Sequence, residues 1–527
     1  MTTDVSRFPQ FLAAVAALRG VGSMDRVEEW QQRLAWNLSD LVALEASLPE
    51  ALPLCSPPIP QPGFSVARRP GGALRDSASA LAAKVRRAEV GAGDIARSAL
   101  EAARDWQHAK IFIALQEDDV LAQAAQIDAR VARGEDPGPL AGVPIAIKDL
   151  MAVRGYRMTG GTLARTPKLM DEDAPAVARL RRAGAIVFGV TNLHELAFGV
   201  TSANPHFGAV VNPRYADRVP GGSSGGSGAA VAAGIVPIAM GTDTGGSIRI
   251  PAACCGVVGF KPTYGVVDTT GVLPLAWSLD HLGPIAACVD DASVAFEVLA
   301  GLPDSSAGAM PERPPRLVAL RGVFAEHVEA GVARAVRLLE GLAHDAGARI
   351  REAAVESMRI GQAAQFVTIG TEASVANADL LAGDGSGLGS DIRLRFELGQ
   401  CFLASDYVKA QRIRRLVRDA LIDAMGDADA ILVPTLPCAP PGVGQSIVSV
   451  GGHALPAAGM LTRFTSPFNM TGLPALSLPC GFDEQGLPVS IQVVGRPGQD
   501  AHVLSVGRWL EKLVPADALR AHDQTFD

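Results

Sequence analysis

The chain has 527 residues and carries 47 Lys and Arg against 55 Asp and Glu, a formal charge of −8, with 48% of its residues hydrophobic. That hydrophobic share excludes a disordered chain, a collagen and a coiled coil. The acidic, dispersed charge offers no basic stripe to collect phosphates, so nucleic acid is set aside as a direct partner and small-molecule chemistry is favoured.

Residues 8 to 49 carry apolar positions at helical spacing, among them Phe11, Val15 and Leu18, then Trp30, Leu34, Leu41 and Leu44, with Gly20 to Ser23 as the break. This predicts a helical hairpin. The run Phe11 to Leu18 follows Asp4 and Pro9 and lacks a clean cleavage site, so it reads as a first amphipathic helix and not as a signal peptide. Pro53, Pro57, Pro58, Pro60 and Pro62 then suit an extended linker. The expected organisation is an N-terminal hairpin and linker over residues 1–70 and one large domain over residues 76–527.

Ala- and Leu-rich helices are expected from Ser77 to Arg133. Beyond them, short apolar runs at Val143 to Ile147, Ala185 to Val190 and Ile431 to Val433 alternate with helical patterns, which means an α/β sheet. One helix is expected from Pro175 to Ala183, with the proline in the first turn and Gly184 just past the end. The uncharged stretch Val219 to Thr242 is too rich in Gly, Ser and Pro for a membrane helix. The seven cysteines form no Cys-x-x-Cys pair, which fits a reducing cytoplasm, buried thiols and no structural zinc.

The densest chemical signal is Pro220-Gly-Gly-Ser-Ser-Gly-Gly-Ser-Gly228, followed by Met240-Gly-Thr-Asp-Thr-Gly-Gly-Ser-Ile-Arg-Ile-Pro251. Ser223 and Ser247 stand 24 residues apart and bracket a helix-length Ala/Val segment. Glycines before Ser247 let successive backbone N–H groups converge, as an anion or a developing oxyanion requires, so Ser247 is a candidate nucleophile beside its own oxyanion hole. A flexible glycine-serine turn is the plainer reading of either block alone.

Rival motifs fail on their context. No Gly-x-x-x-x-Gly-Lys-Ser/Thr occurs and no lysine lies between 168 and 261, which excludes a P-loop. Gly221 to Gly225 fits Gly-x-Ser-x-Gly, but the polar, proline-bounded segment Asn212 to Pro220 is no strand for a nucleophile elbow. His194-Glu195 meets Phe198 where a zinc-binding helix needs a second histidine. His281 is the histidine best placed to serve as a base, with a structural role beside Asp280 as its plainer reading. Lys148 closes the apolar run from Gly142, where a strand would deliver an amine into a desolvated place. Acting as a base near pH 7 requires its pKa to fall about three units from ~10.4, a cost of about 4 kcal/mol. Snorkelling from the strand end, or pairing with Asp149, is the plainer alternative.

With these motifs the chain resembles the amidase signature family of serine hydrolases. The matching segments are Gly142 to Leu150, Thr191 to Gly199, Asn204 to Gly208, Arg218 to Gly265, Ser278 to Pro284 and Asn469 to Gly481, and the similarity runs from about 76 to 515. The resemblance implies a mixed central sheet covered by helices on both faces, here with an N-terminal helical extension. It implies Ser247 as nucleophile, Ser223 as a bridging serine after a cis peptide from Gly222, and Lys148 as terminal base. The oxyanion would be received by backbone N–H groups of Thr244, Gly245, Gly246 and Ser247, with Asp243, Arg249 and Ser224 in support. No metal or cofactor is implied.

The expected activity is hydrolysis of a small carboxamide through an acyl-enzyme, by a chain that acts without a protein partner or pairs with a second copy through its N-terminal hairpin. Two alternatives are the glutamine-hydrolysing component of a tRNA-dependent amidotransferase and a non-catalytic scaffold of the same fold. Candidate pocket segments are Met151 to Gly161, Leu273 to Asp280, 360 to 405 and Leu455 to Phe468, with Trp277 and Phe468 as candidate walls and core packing as the equal alternative for both rings.

Overall fold

Five consecutive buried residues, Pro144–Lys148, form a strand whose side chains meet protein on both faces. Such near-continuous apolar runs belong to sheets covered on both sides. In the computed structural model, which describes residues 76–302, 310–382 and 386–515, this strand lies inside an eleven-stranded mixed sheet with fifteen helices around it. The sheet runs in the order Phe112–Ala114, Ile186–Thr191, Pro144–Lys148, Ile238–Asp243, His281–Ala286, Val258–Lys261, Ala475–Phe482, Pro488–Val494, Ala430–Pro434, Arg316–Leu320 and Arg349–Ala353. The expected N-terminal hairpin and linker lie outside the described residues.

Three of these strands set the site. Ile186–Thr191 and Ile238–Asp243 pair parallel to Pro144–Lys148 on either side, so Lys148, Thr191 and Asp243 end at one edge. His281–Ala286 pairs antiparallel with Ile238–Asp243 and brings His281 opposite Asp243 at that same edge. Crevices at the carboxyl ends of parallel strands are where open α/β sheets hold their ligands.

The strand boundaries follow the apolar runs within a residue or two. The expected helix is Pro175–Arg182 with proline in its first turn. Gly184 follows at φ +88°, and a Cβ there would stand 2.6 Å from the Pro137 carbonyl oxygen. Between the two glycine-serine blocks the chain makes the helix Gly225–Ala232 and then the strand Ile238–Asp243, all of it buried. Out by helix and back by strand, the second block returns to the first. Their meeting is direct, since the Ser224 N–H donates to the Ser247 carbonyl at 3.3 Å.

Among the described residues, no helix is long and apolar enough to cross a membrane.

Candidate active site

Lys148 ends its strand with no exposed surface. Its Nζ donates to Ser223 Oγ at 2.7 Å and to Thr242 Oγ1 at 2.6 Å. Snorkelling is therefore excluded, and so is pairing with Asp149, whose carboxylate accepts the Thr159 N–H and hydroxyl. Burial pulls the Lys148 pKa down to about 7, against the opposing pull of Asp243 and Asp280. Desolvation wins because the amine is held by two neutral hydroxyls and no carboxylate.

Ser223 follows a cis peptide from Gly222 and is fully buried. Its carbonyl accepts the His194 N–H at 3.0 Å and the Ser202 hydroxyl at 3.3 Å. Ser224 fastens the block to the neighbouring strand, donating from Oγ to the Thr242 carbonyl at 3.2 Å and accepting the Thr242 N–H at 3.3 Å.

The loop from Asp243 to Arg249 is built around one ion pair. Arg249 Nη2 stands 2.9 Å from Asp243 Oδ1, with both side chains wholly buried. The remaining guanidinium donors reach the Thr465 carbonyl, Gln492 Oε1 and Asn469 Oδ1. Burial alone would raise the Asp243 pKa, but the adjacent guanidinium holds it well below the usual carboxylate range. Asp243 in turn accepts the N–H groups of Gly246 at 2.8 Å and Ile248 at 3.1 Å. The Gly246 N–H, expected among the oxyanion donors, is thus engaged by this carboxylate. Among the described residues, no acceptor takes the N–H of Gly245 or of Ser247.

Gly246 adopts φ +131°, and a Cβ there would lie 2.2 Å from Thr465 Oγ1, so this turn admits glycine alone. Thr244 donates its hydroxyl to Asp280 Oδ1 at 2.6 Å. Asp280 also accepts the Leu275 and Ala276 N–H groups, and burial pushes its carboxyl up to about 6.

Ser247 lines a cavity of about 550 Å³ whose wall includes Phe198, Val200, Leu275, Phe366, Ile369, Leu398 and Phe402. Ser223 and Lys148 sit out of solvent contact, off that wall. The arrangement places a hydroxyl at an apolar cavity and an amine of lowered basicity on Ser223 in the buried interior.

Comparison with known proteins places the chain in a family. Residues 94–504 match the Amidase family profile. The chain belongs to the amidase signature family. Among this family's members, it is 36% identical over 444 residues to a protein of Picosynechococcus sp. named as the A subunit of glutamyl-tRNA(Gln) amidotransferase, covering 76% of this chain and 90% of the relative. A protein of the same name from Carboxydothermus hydrogenoformans is 34% identical over 479 residues, 83% of this chain and 96% of the relative. A solved structure described as an amidase superposes with a TM-score of 0.79 at 35% identity, covering 84% of this chain and all of that one. A 6-aminohexanoate cyclic dimer hydrolase complexed with substrate gives 0.74 at 25% identity, over 85% and 98%.

This amidase signature chain departs from the sequence reading at several places. Trp277 is half exposed, outside the cavity, and Phe468 is fully buried with its ring stacked on Phe324. Both are large apolar residues beside the site motifs, but one caps a surface loop and the other fills the core. Met151 to Gly161 contributes nothing to the cavity wall, whereas 197–201 and 445–447 do. His281 has its Nδ1 2.6 Å from the Leu279 carbonyl oxygen, and burial with the nearby Lys261 depresses its pKa well below the usual value. A histidine so held fits the plainer, structural one of its two sequence readings. The sequence does not single out Thr242 or Gln365 as site residues, nor Asp280 as a support for the nucleophile loop. Thr242 is signalled only by lying inside the second glycine block, and Gln365 only by lying inside the candidate pocket segment 360 to 405.

Proposed function

We propose that this enzyme hydrolyses small carboxamides whose acyl group is apolar, through an acyl-enzyme on Ser247. The observation that carries the reading is Lys148, its Nζ 2.7 Å from Ser223 Oγ and its pKa lowered to about 7 by burial. A general base works best when its pKa is close to the working pH.

Ser247 Oγ attacks the amide carbonyl carbon while its proton passes to Ser223 and the Ser223 proton passes to neutral Lys148. The oxyanion is received by the N–H groups of Gly245 and Ser247, each such donor contributing about 2.7 to 4 kcal/mol. The relay then runs backwards and protonates the leaving nitrogen, the C–N bond breaks, and water uses the same relay to release the acid. Asp243 and Arg249 hold the loop and take no proton.

The apolar wall supports an aliphatic or aryl acyl group. A second reading, glutamine hydrolysis as one component of an amidotransferase, is favoured by the names of relatives at 34 to 36% identity. Against it, Arg395 is the one charged side chain among the described residues lining the cavity. Glutamine carries an ammonium as well as a carboxylate, and the ammonium would enter that cavity without an acidic partner.

Ammonia release by the isolated chain separates the two. Hexanamide and benzamide are expected to exceed glutamine in kcat/KM by at least about 100-fold, the worth of burying an unpaired charge. Glutamine turnover that matches or exceeds the apolar amides, or that appears only with partner proteins, would favour the amidotransferase reading. Cytoplasmic residence is part of the first reading and is supported by the buried, unbridged thiols of Cys254, Cys255, Cys438 and Cys480.

A further inference from the structure

Two consecutive peptides of the nucleophile loop are held by side chains, and they are held differently. In the Gly245–Gly246 peptide the carbonyl accepts the Thr465 hydroxyl at 2.7 Å and the N–H donates to Asp243 Oδ1 at 2.8 Å. Both ends are engaged. In the Thr244–Gly245 peptide the carbonyl accepts Gln365 Nε2 at 2.8 Å, and no described acceptor takes the N–H. A trans peptide is planar, with its C=O and N–H pointing opposite ways, so fixing one end aims the other. We infer that Gln365 is a positioning residue that aims the Gly245 N–H at the oxyanion.

Gln365 is suited to this task. It belongs to the helix Met358–Ala376, is 5% exposed, and lies in the cavity wall beside Phe366 and Ile369. The same helix that lines the cavity therefore holds the carbonyl behind the Gly245 N–H. A hydrogen bond that preorganises a donor contributes only when charge develops on the carbonyl oxygen, so its loss falls on kcat and leaves ground-state binding alone. The inference rests on the Ser247 reading above.

The test compares the full-length wild type with Gln365→Met, using an amide that is turned over, the matching trifluoromethyl ketone and the matching carboxylic acid. The ketone forms a tetrahedral oxyanion on a serine, whereas the acid is a ground-state ligand. In the variant, kcat should fall about 10- to 100-fold with KM within about threefold, less than or equal to the loss of a whole donor. Affinity for the ketone should fall by the same factor as kcat/KM while affinity for the acid stays put. Unchanged kcat, or equal weakening of ketone and acid, overturns the inference and makes Gln365 a plain wall residue. Where Gln365→Met does not fold, Gln365→Asn carries the same expectations, since it keeps the amide but falls a methylene short. If Ser247→Ala binds the ketone as tightly as wild type, the Ser247 reading itself fails, whatever Gln365 does.

Discussion

Purified Ser247→Ala protein is expected to lose roughly four to six orders of magnitude in amide hydrolysis and all labelling by a fluorophosphonate probe. In the proposed reaction Ser247 supplies the oxygen that forms the acyl-enzyme, and the two buried groups nearest to it in the reading do not substitute. Ser223 is buried with its Oγ committed to Lys148, and His281 is held by a backbone carbonyl. The wild type should carry the probe on Ser247 when the labelled peptide is mapped. A wild type that takes no label would instead favour the scaffold reading, in which the fold is kept without the chemistry. Label on another residue would move the nucleophile and, with it, the whole relay.

Lys148→Met should produce two effects of opposite sign. Activity should fall by about 10² to 10⁴, the usual contribution of a general base. Stability at pH 6 to 7 should rise. In the fold Lys148 has a pKa of about 7, against an ordinary value of 10.5. Between those values the unfolded chain holds more protons than the native one, so native stability climbs with pH across that window. Below pH 7 both states are protonated and the full cost of the buried ammonium is present, about 5 kcal/mol for 3.5 pH units. Removing the lysine recovers that cost, less about 1 to 2 kcal/mol for leaving Ser223 and Thr242 without their donor. Thermal melts should show the variant more stable than wild type by roughly 3 kcal/mol near pH 6.5, with the gap closing toward pH 10. A variant less stable at pH 6.5, or a gap indifferent to pH, would mean that the lysine sits in the fold as a favourable charge.

Much of this site is readable because each part leaves a local trace. Lys148 stands out as the single polar residue closing an apolar strand, and the two serines stand out through glycines that have no role in an ordinary helix. Gly246 shows why those glycines are needed, since its φ of +131° and the closeness of Thr465 leave room for nothing larger. The central strands are legible for the same reason, being short, apolar and bounded by turn residues. The pocket walls are legible only as segments: Leu273 to Asp280, 360 to 405 and Leu455 to Phe468 all reach the cavity, but which of their side chains face it is not written in them. Phe198, Phe366 and Phe402 come from three places in the chain, and only the packing of the helices onto the sheet edge brings them to Ser247. Trp277 and Phe468 show the converse, since nearness in sequence to a motif does not bring either ring to the reaction. The oxyanion donors fall between these cases. The glycines locate the loop, but the carboxylate of Asp243 decides that Gly246 serves the loop, and that is a three-dimensional fact.

The central claim is that Lys148 is an uncharged base at working pH. Its most direct test is the rate at which the fluorophosphonate modifies Ser247, followed from pH 5 to pH 9.5 under single-turnover conditions. The rate should rise about tenfold per unit below an inflection near pH 7 and level off above it, and that inflection should be lost in Lys148→Met. A flat profile, or a rate still climbing at pH 9.5 as an ordinary lysine would require, contradicts the account.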